Sequence, residues 1–218
     1  MEDRKTHFSK HGMYAGYDKK HKERDALDFY STPTKEVVNI LKTIKLSFEG
    51  ANILEPCIGG GHMMEGIGQY LEQTGEYAYV CGTDIMDREY HPQSILPIKI
   101  EYGLDFLNDD YTNHLPFDID YIIMNPPYST IEPFVMKSLS IAKKGILMLG
   151  RLQFLEGKSR YENILEDYPP SDVWVYVDRI SCDKNGTEKM GAVNAYAWFY
   201  WNLENDNKET KLHWIRRV

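Results

Sequence analysis

From residue 33 to residue 202 the chain alternates between two kinds of segment. Short apolar runs such as "ANILEP", "YAYVCGTDI", "ILPIKIEY", "FDIDYIIM" and "GILMLG" read as strands. Between most of them lie longer stretches with apolar residues at helical spacing: "TKEVVNILKTI", "HMMEGIGQYLEQ", "IEPFVMKSLSIAKK" and "FLEGKSRYENILEDY". The first helix is expected to begin at Pro33 with Thr32 as its cap, the second to end before Gly75, and the third to stop at Gly145. Strands separated by helices must run mostly parallel, with both faces of the sheet covered. "DVWVYV" and "NAYAWFYWN" are joined by a polar loop without a helix, so they can pair antiparallel. The expectation is a single α/β domain with a doubly wound, mostly parallel, seven-stranded sheet that ends in one antiparallel strand. Ligands of such sheets bind at the C-terminal strand ends, where the strand order switches.

With 218 residues, 42% of them hydrophobic, the chain is long enough for one full core. Residues 1–27 read as a polar N-terminal segment, 28–204 as the domain and 205–218 as a basic C-terminal tail. Neither a secretory leader nor a membrane span is expected. Cys57, Cys81 and Cys182 are scattered without metal spacing, which fits a reducing, cytoplasmic setting. The net charge of −8 excludes a strongly basic nucleic-acid binder. The charge is uneven, however. Residues 1–24 and 208–218 each carry +3, so acidic groups concentrate in the middle.

"LEPCIGGGHM" leads from a strand into a helix. Gly59, Gly60 and Gly61 permit a tight turn and close approach to a ligand. The spacing lacks the third glycine of the dinucleotide fingerprint, and Glu55, before Pro56, would repel a pyrophosphate. Both features disfavour a nicotinamide cofactor and favour a ligand with a cationic end. Asp84, followed by Ile85, ends the next strand 23 residues after Gly61, where a carboxylate can accept from ribose hydroxyls. Asp105-Phe106 follows the third strand, where an acid can accept from an adenine amino group and a ring can pack on the base. In this order the three sites describe a nucleoside with an amino-acid tail, as in S-adenosylmethionine.

Asn125-Pro126-Pro127-Tyr128 ends the fourth strand. The two prolines stiffen the turn and stop the strand. The Asn125 side-chain oxygen and the Pro126 carbonyl can each accept a hydrogen of an aromatic amine and restore its nitrogen lone pair. Tyr128 offers a face on which an extruded base can stack. With these residues the chain resembles the class I S-adenosylmethionine-dependent methyltransferases, and among them the DNA adenine-N6 methyltransferases, including the small ones carried by bacteriophages. The resemblance spans about residues 28–202. "DFYSTP" resembles the family's N-terminal cofactor motif and implies cofactor contacts by Tyr30 and Thr32. "LEPCIGGGHM", "TDI" and "LDF" resemble its glycine, ribose and adenine motifs. "NPPY" resembles its catalytic motif, with Asn125 also beside the cofactor, and "AYAWFYW" resembles the aromatic strand near the target base.

The resemblance implies DNA as partner and a part in restriction-modification, but family members usually carry a sizeable recognition region. Only about 90 residues follow the tetrapeptide, and the alternating pattern uses nearly all of them. Recognition then falls to the periphery: the N-terminal segment, Arg151, Lys158 and Arg160, and the loop bearing Lys184 and Lys189. So few basic groups suggest that a second copy or a partner subunit adds surface. The same tetrapeptide also resembles that of RNA adenine and protein glutamine methyltransferases, and a catalytically silent binding module is a further alternative.

Overall fold

The structure is a computed structural model and describes residues 31–92, 98–115, 117–182, 194–205 and 208–218. Helix α1 (Thr34–Ile44) leads into strand β1 (Asn52–Glu55), helix α2 (His62–Thr74) and strand β2 (Tyr79–Asp84). Strand β3 (Ile98–Tyr102), the short helix α3 (Tyr111–His114), strand β4 (Tyr121–Met124), helix α4 (Ile131–Ile141) and strand β5 (Gly145–Arg151) follow. The chain ends with β6 (Asp172–Tyr176), β7 (Tyr196–Asn202) and β8 (Lys211–Ile215).

These strands form one sheet in the order β3-β2-β1-β4-β5-β7-β6-β8. All neighbours are parallel except around β7, which runs antiparallel to both β5 and β6. The sheet separates two apolar layers. One is built around α1, α2 and Trp198, the other around α4, Phe199 and Trp201. Residues of β7 alternate between the two layers, as a strand buried on both faces must. Among the described residues no helix is long and apolar enough to cross a membrane.

Five local expectations need correction. There are eight strands, so β7 is an interior strand and the antiparallel member does not end the sheet. The eighth comes from the segment read as a tail. Ile215 is buried and His213 stacks on Trp174 at 4.9 Å while meeting Asp172 at 2.8 Å. Leu212 and Trp214 of this strand are exposed, so its apolar residues do not mark one buried face in the sequence. The cap of α1 is Pro33, and the Thr32 hydroxyl is used elsewhere. Helix α4 ends at Ile141, before an extended Ala142, so Gly145 opens β5 and does not stop the helix.

The helix expected over 154–168 is broken into a 3₁₀ turn (Leu152–Leu155), a short α5 (Lys158–Arg160) and a π turn (Tyr161–Leu165). Gly157 lies at φ +121°, which a helix cannot contain.

A buried hydrogen-bonded group ties the C-terminus to α1. Trp198 Nε1 donates to the Tyr176 hydroxyl at 2.9 Å, and that hydroxyl donates to Glu36 at 3.0 Å. The backbone N–H of Val218 donates to the other Glu36 oxygen at 2.9 Å.

Candidate active site at the switch in strand order

Strand β1 lies between β2 and β4, and the chain leaves β1 and β4 toward opposite sides of the sheet. The C-terminal ends of these three neighbours carry Glu55, Asp84 and Asn125. In register, Glu55 pairs with Gly82 and Leu54 with Ile122, so the three groups rise from one edge of the sheet.

The glycine loop is shaped by its neighbours. Gly61 caps α2 at φ +79°, and a Cβ there would lie 2.2 Å from the Tyr90 ring. Only glycine satisfies both conditions. Tyr90 is pinned over the loop. Its hydroxyl donates to Glu65 at 2.6 Å, and its backbone N–H donates to the Tyr102 hydroxyl at 3.0 Å. The Gly59 N–H donates to Asp84 Oδ2 at 2.9 Å, and the Met86 N–H donates to Oδ1 at the same distance. Asp84 therefore clamps the loop to the end of β2, and each oxygen keeps capacity for a second donor. Ile85, beside it, is exposed, and Pro56 is buried.

Glu55 is 2% exposed, and its Oε2 has no donor among the described residues. Burial and then the neighbouring Asp84 charge raise its carboxyl well above the usual carboxylate range, partly offset by a bond from the backbone of Met64. Burial, with the charges of Glu55 and Asp84, also raises the Cys57 thiol, so it is not a thiolate nucleophile. Two adjacent carboxylates, one of them buried with an unsatisfied oxygen, suit a cationic group. An acid raised on folding binds more protons in the native state. Its effect therefore lowers stability as pH rises above the unfolded value, by about 1.4 kcal/mol per unit of displacement. Glu55→Gln should raise the Tm of the ligand-free protein at pH 8 and flatten its decline between pH 5 and pH 8. Calorimetry over that range checks this, and an unchanged Tm profile would contradict it.

Asn125 is half-buried, and its Nδ2 donates to Thr32 Oγ1 at 3.0 Å. The structure thus joins two residues 93 positions apart, one from "DFYSTP" and one from "NPPY". Ser31 and Thr32 are buried there, while Tyr30 lies outside the described residues. Pro126 is buried, and the Pro127 carbonyl accepts the Thr130 N–H at 3.0 Å, which fixes the turn. The Tyr128 hydroxyl donates to Tyr196 at 3.0 Å. Burial raises both phenols, so they stay protonated and cannot serve as bases near neutrality.

The structure does not place every expected residue at the site. Asp105 is half-buried, and its carboxylate accepts the Leu107 N–H at 3.1 Å and the Asn108 amide at 2.8 Å, as the cap of its own turn. Phe106 is 2% exposed and packs on Phe134 at 5.0 Å, so its ring belongs to the core. Arg160 is used internally. It binds Glu132 through Nε and Nη2 at 3.1 and 3.0 Å, and its Nη1 donates to the carbonyls of Gln153, Phe154 and Glu156. Those partners exist only because Gly157 turns the chain back. Lys158 is exposed and 3.6 Å from Glu162, whereas Lys184 and Lys189 lie outside the described residues. Sequence reasoning missed Tyr90 and the stack of Arg151 on Tyr128, where the guanidinium carbon lies 4.2 Å from the ring centre.

By sequence, no known protein family and no curated protein matches this chain. By structure it is similar to the methyltransferase subunit of a type I restriction-modification system from Streptococcus thermophilus, with TM-score 0.63 and 14% identity over 86% of this chain and 47% of that one. The fold is that of class I methyltransferases. Two smaller proteins share it. One is a provisionally assigned class I S-adenosylmethionine-dependent methyltransferase from Listeria monocytogenes, with TM-score 0.59 and 12% identity over 84% of this chain and 64% of that one. The other is a provisionally assigned RNA methyltransferase from Pyrococcus horikoshii, with TM-score 0.54 and 16% identity over 79% and 85%. The present chain thus spans about half the length of the restriction-modification subunit. In this methyltransferase fold, Glu55, Asp84 and Asn125 stand at the ends of the three central strands.

Proposed function

We propose that the protein transfers the methyl group of S-adenosylmethionine to the exocyclic N6 amino group of adenine in DNA. The observation that carries this reading is the bond from Asn125 Nδ2 to Thr32 at a strand end next to Glu55. It commits the amide nitrogen to the protein, so the amide oxygen is the end that can accept from a substrate amine. The residues fit the cofactor. Glu55 suits its ammonium, Asp84 its ribose, and the glycine loop leaves room for close approach. When bound, S-adenosylmethionine supplies an electrophilic methyl on a sulfonium.

The chain's own task is to make a poor nucleophile react. The nitrogen of an arylamine shares its lone pair with the ring. Asn125 and the Pro126 carbonyl each accept one of its hydrogens, drawing the nitrogen toward tetrahedral geometry and returning the lone pair to it. The rigid Pro126-Pro127 turn holds both acceptors in place before the substrate arrives. No general base is required, because the methylated amine is cationic and sheds its proton readily to solvent.

Tyr128 supplies the stacking surface for the extruded base. The net charge of −8 implies modest affinity for a duplex, carried by the less acidic periphery that includes Lys158. The test is transfer of tritiated methyl groups to unmethylated DNA, RNA and protein in parallel, with nucleoside analysis of the product. N6-methyladenine in DNA is expected. Label in RNA or in glutamine alone would assign the same site to a different acceptor, and no label in any of them would overturn the reading.

A further inference from the structure

Arg151 is the last residue of β5, and its neighbour across the antiparallel ladder is Tyr196 of β7. Its guanidinium carbon lies 4.2 Å from the centre of the Tyr128 ring. Tyr196 in turn accepts from Tyr128 at 3.0 Å. Tyr128 packs against the apolar layer that contains α1, α2 and Trp198, and Arg151 covers a face of its ring. Its Nε is buried and has no acceptor among the described residues. A planar cation with an unsatisfied buried N–H thus lies on the aromatic ring of the catalytic tetrapeptide. Such a donor lacks the acceptor that a buried N–H normally finds.

We propose that Arg151 is a specificity-determining residue of the acceptor pocket and reads a hydrogen-bond acceptor on the edge of the target base. This rests on the proposed nucleobase methylation. A base and a guanidinium cannot share one ring face. On entry the base takes the stacking position, and the guanidinium, still rooted beside Tyr196, moves to the edge of the base and donates to a ring nitrogen. The side chain therefore holds the pocket in shape when it is empty and selects for an acceptor-bearing heterocycle when it is filled. Arginine suits both tasks because it is flat, always charged and a donor only.

The experiment measures kcat/KM for methyl transfer by the unaltered protein, Arg151→Lys and Arg151→Gln. The substrates are DNA duplexes with adenine, 1-deazaadenine, 3-deazaadenine or 7-deazaadenine at the target. Both substitutions should lower kcat/KM on adenine by about 10- to 100-fold, leaving S-adenosylmethionine affinity and the salt dependence of DNA binding unchanged. One of the deaza bases should be poor for the unaltered protein, and Arg151→Gln should show no further loss with it.

Near-normal transfer by Arg151→Lys, together with a reduced salt slope for Arg151→Gln, would mean a phosphate contact and overturn the inference. So would a deaza penalty that persists undiminished in Arg151→Gln. Failure of the unaltered protein to methylate nucleic acid would overturn the proposed function itself, and this inference with it.

Discussion

Asn125→Ala should abolish most methyl transfer while S-adenosylmethionine still binds. Removing one preorganised hydrogen-bond partner of a developing charge costs about 100- to 1,000-fold in kcat, and Asn125 is expected to contribute at that level. Its oxygen would accept from the amine, and its nitrogen is held by Thr32. The substitution removes both, so the turn loses its tie to the segment before α1 as well as its acceptor. Cofactor affinity, measured by calorimetry, should change little, because Glu55 and Asp84 stand on separate strands. Turnover close to that of the unaltered protein would refute the amine-activating role.

The second large effect is expected at Asp84. Each of its oxygens accepts a backbone N–H, one from the glycine loop and one from the segment after β2. Asp84→Ala removes a carboxylate that would hold the ribose and also unclamps the loop from Gly59 to Gly61. A hydrogen bond to a charged group is worth about 1.5–3 kcal/mol, so the Kd for S-adenosylmethionine should rise at least about 10-fold. The same substitution removes the charge that helps raise the Glu55 carboxyl. Glu55 should therefore titrate lower in the variant. Titration calorimetry measures the first effect, and the pH dependence of Tm measures the second. Unchanged affinity would remove Asp84 from the cofactor site.

The candidate site residues legible beforehand share one property: each stands where a strand stops. Glu55, Asp84 and Asn125 follow short apolar runs, and a strand end marks its position in sequence because proline, glycine or charge breaks the run. Other candidates have partners that the local sequence does not show. Arg160 looks like a surface cation until Gly157 at φ +121° brings three carbonyls to its guanidinium. Phe106 looks like a base-packing ring until α4 brings Phe134 against it.

Local pattern by itself determined that this chain builds a mostly parallel sheet covered by helices, with the candidate site residues at the C-terminal ends of its strands. Period-two and period-3.6 burial are written residue by residue, so that much needs no knowledge of partners. Only the tertiary structure decided that β8 extends the sheet past β6, that Thr32 meets Asn125, and that Arg151 lies on Tyr128 beside Tyr196. Each of these depends on register or strand order. Those are set by how the two apolar layers pack against the whole sheet, and no local run of residues encodes that packing.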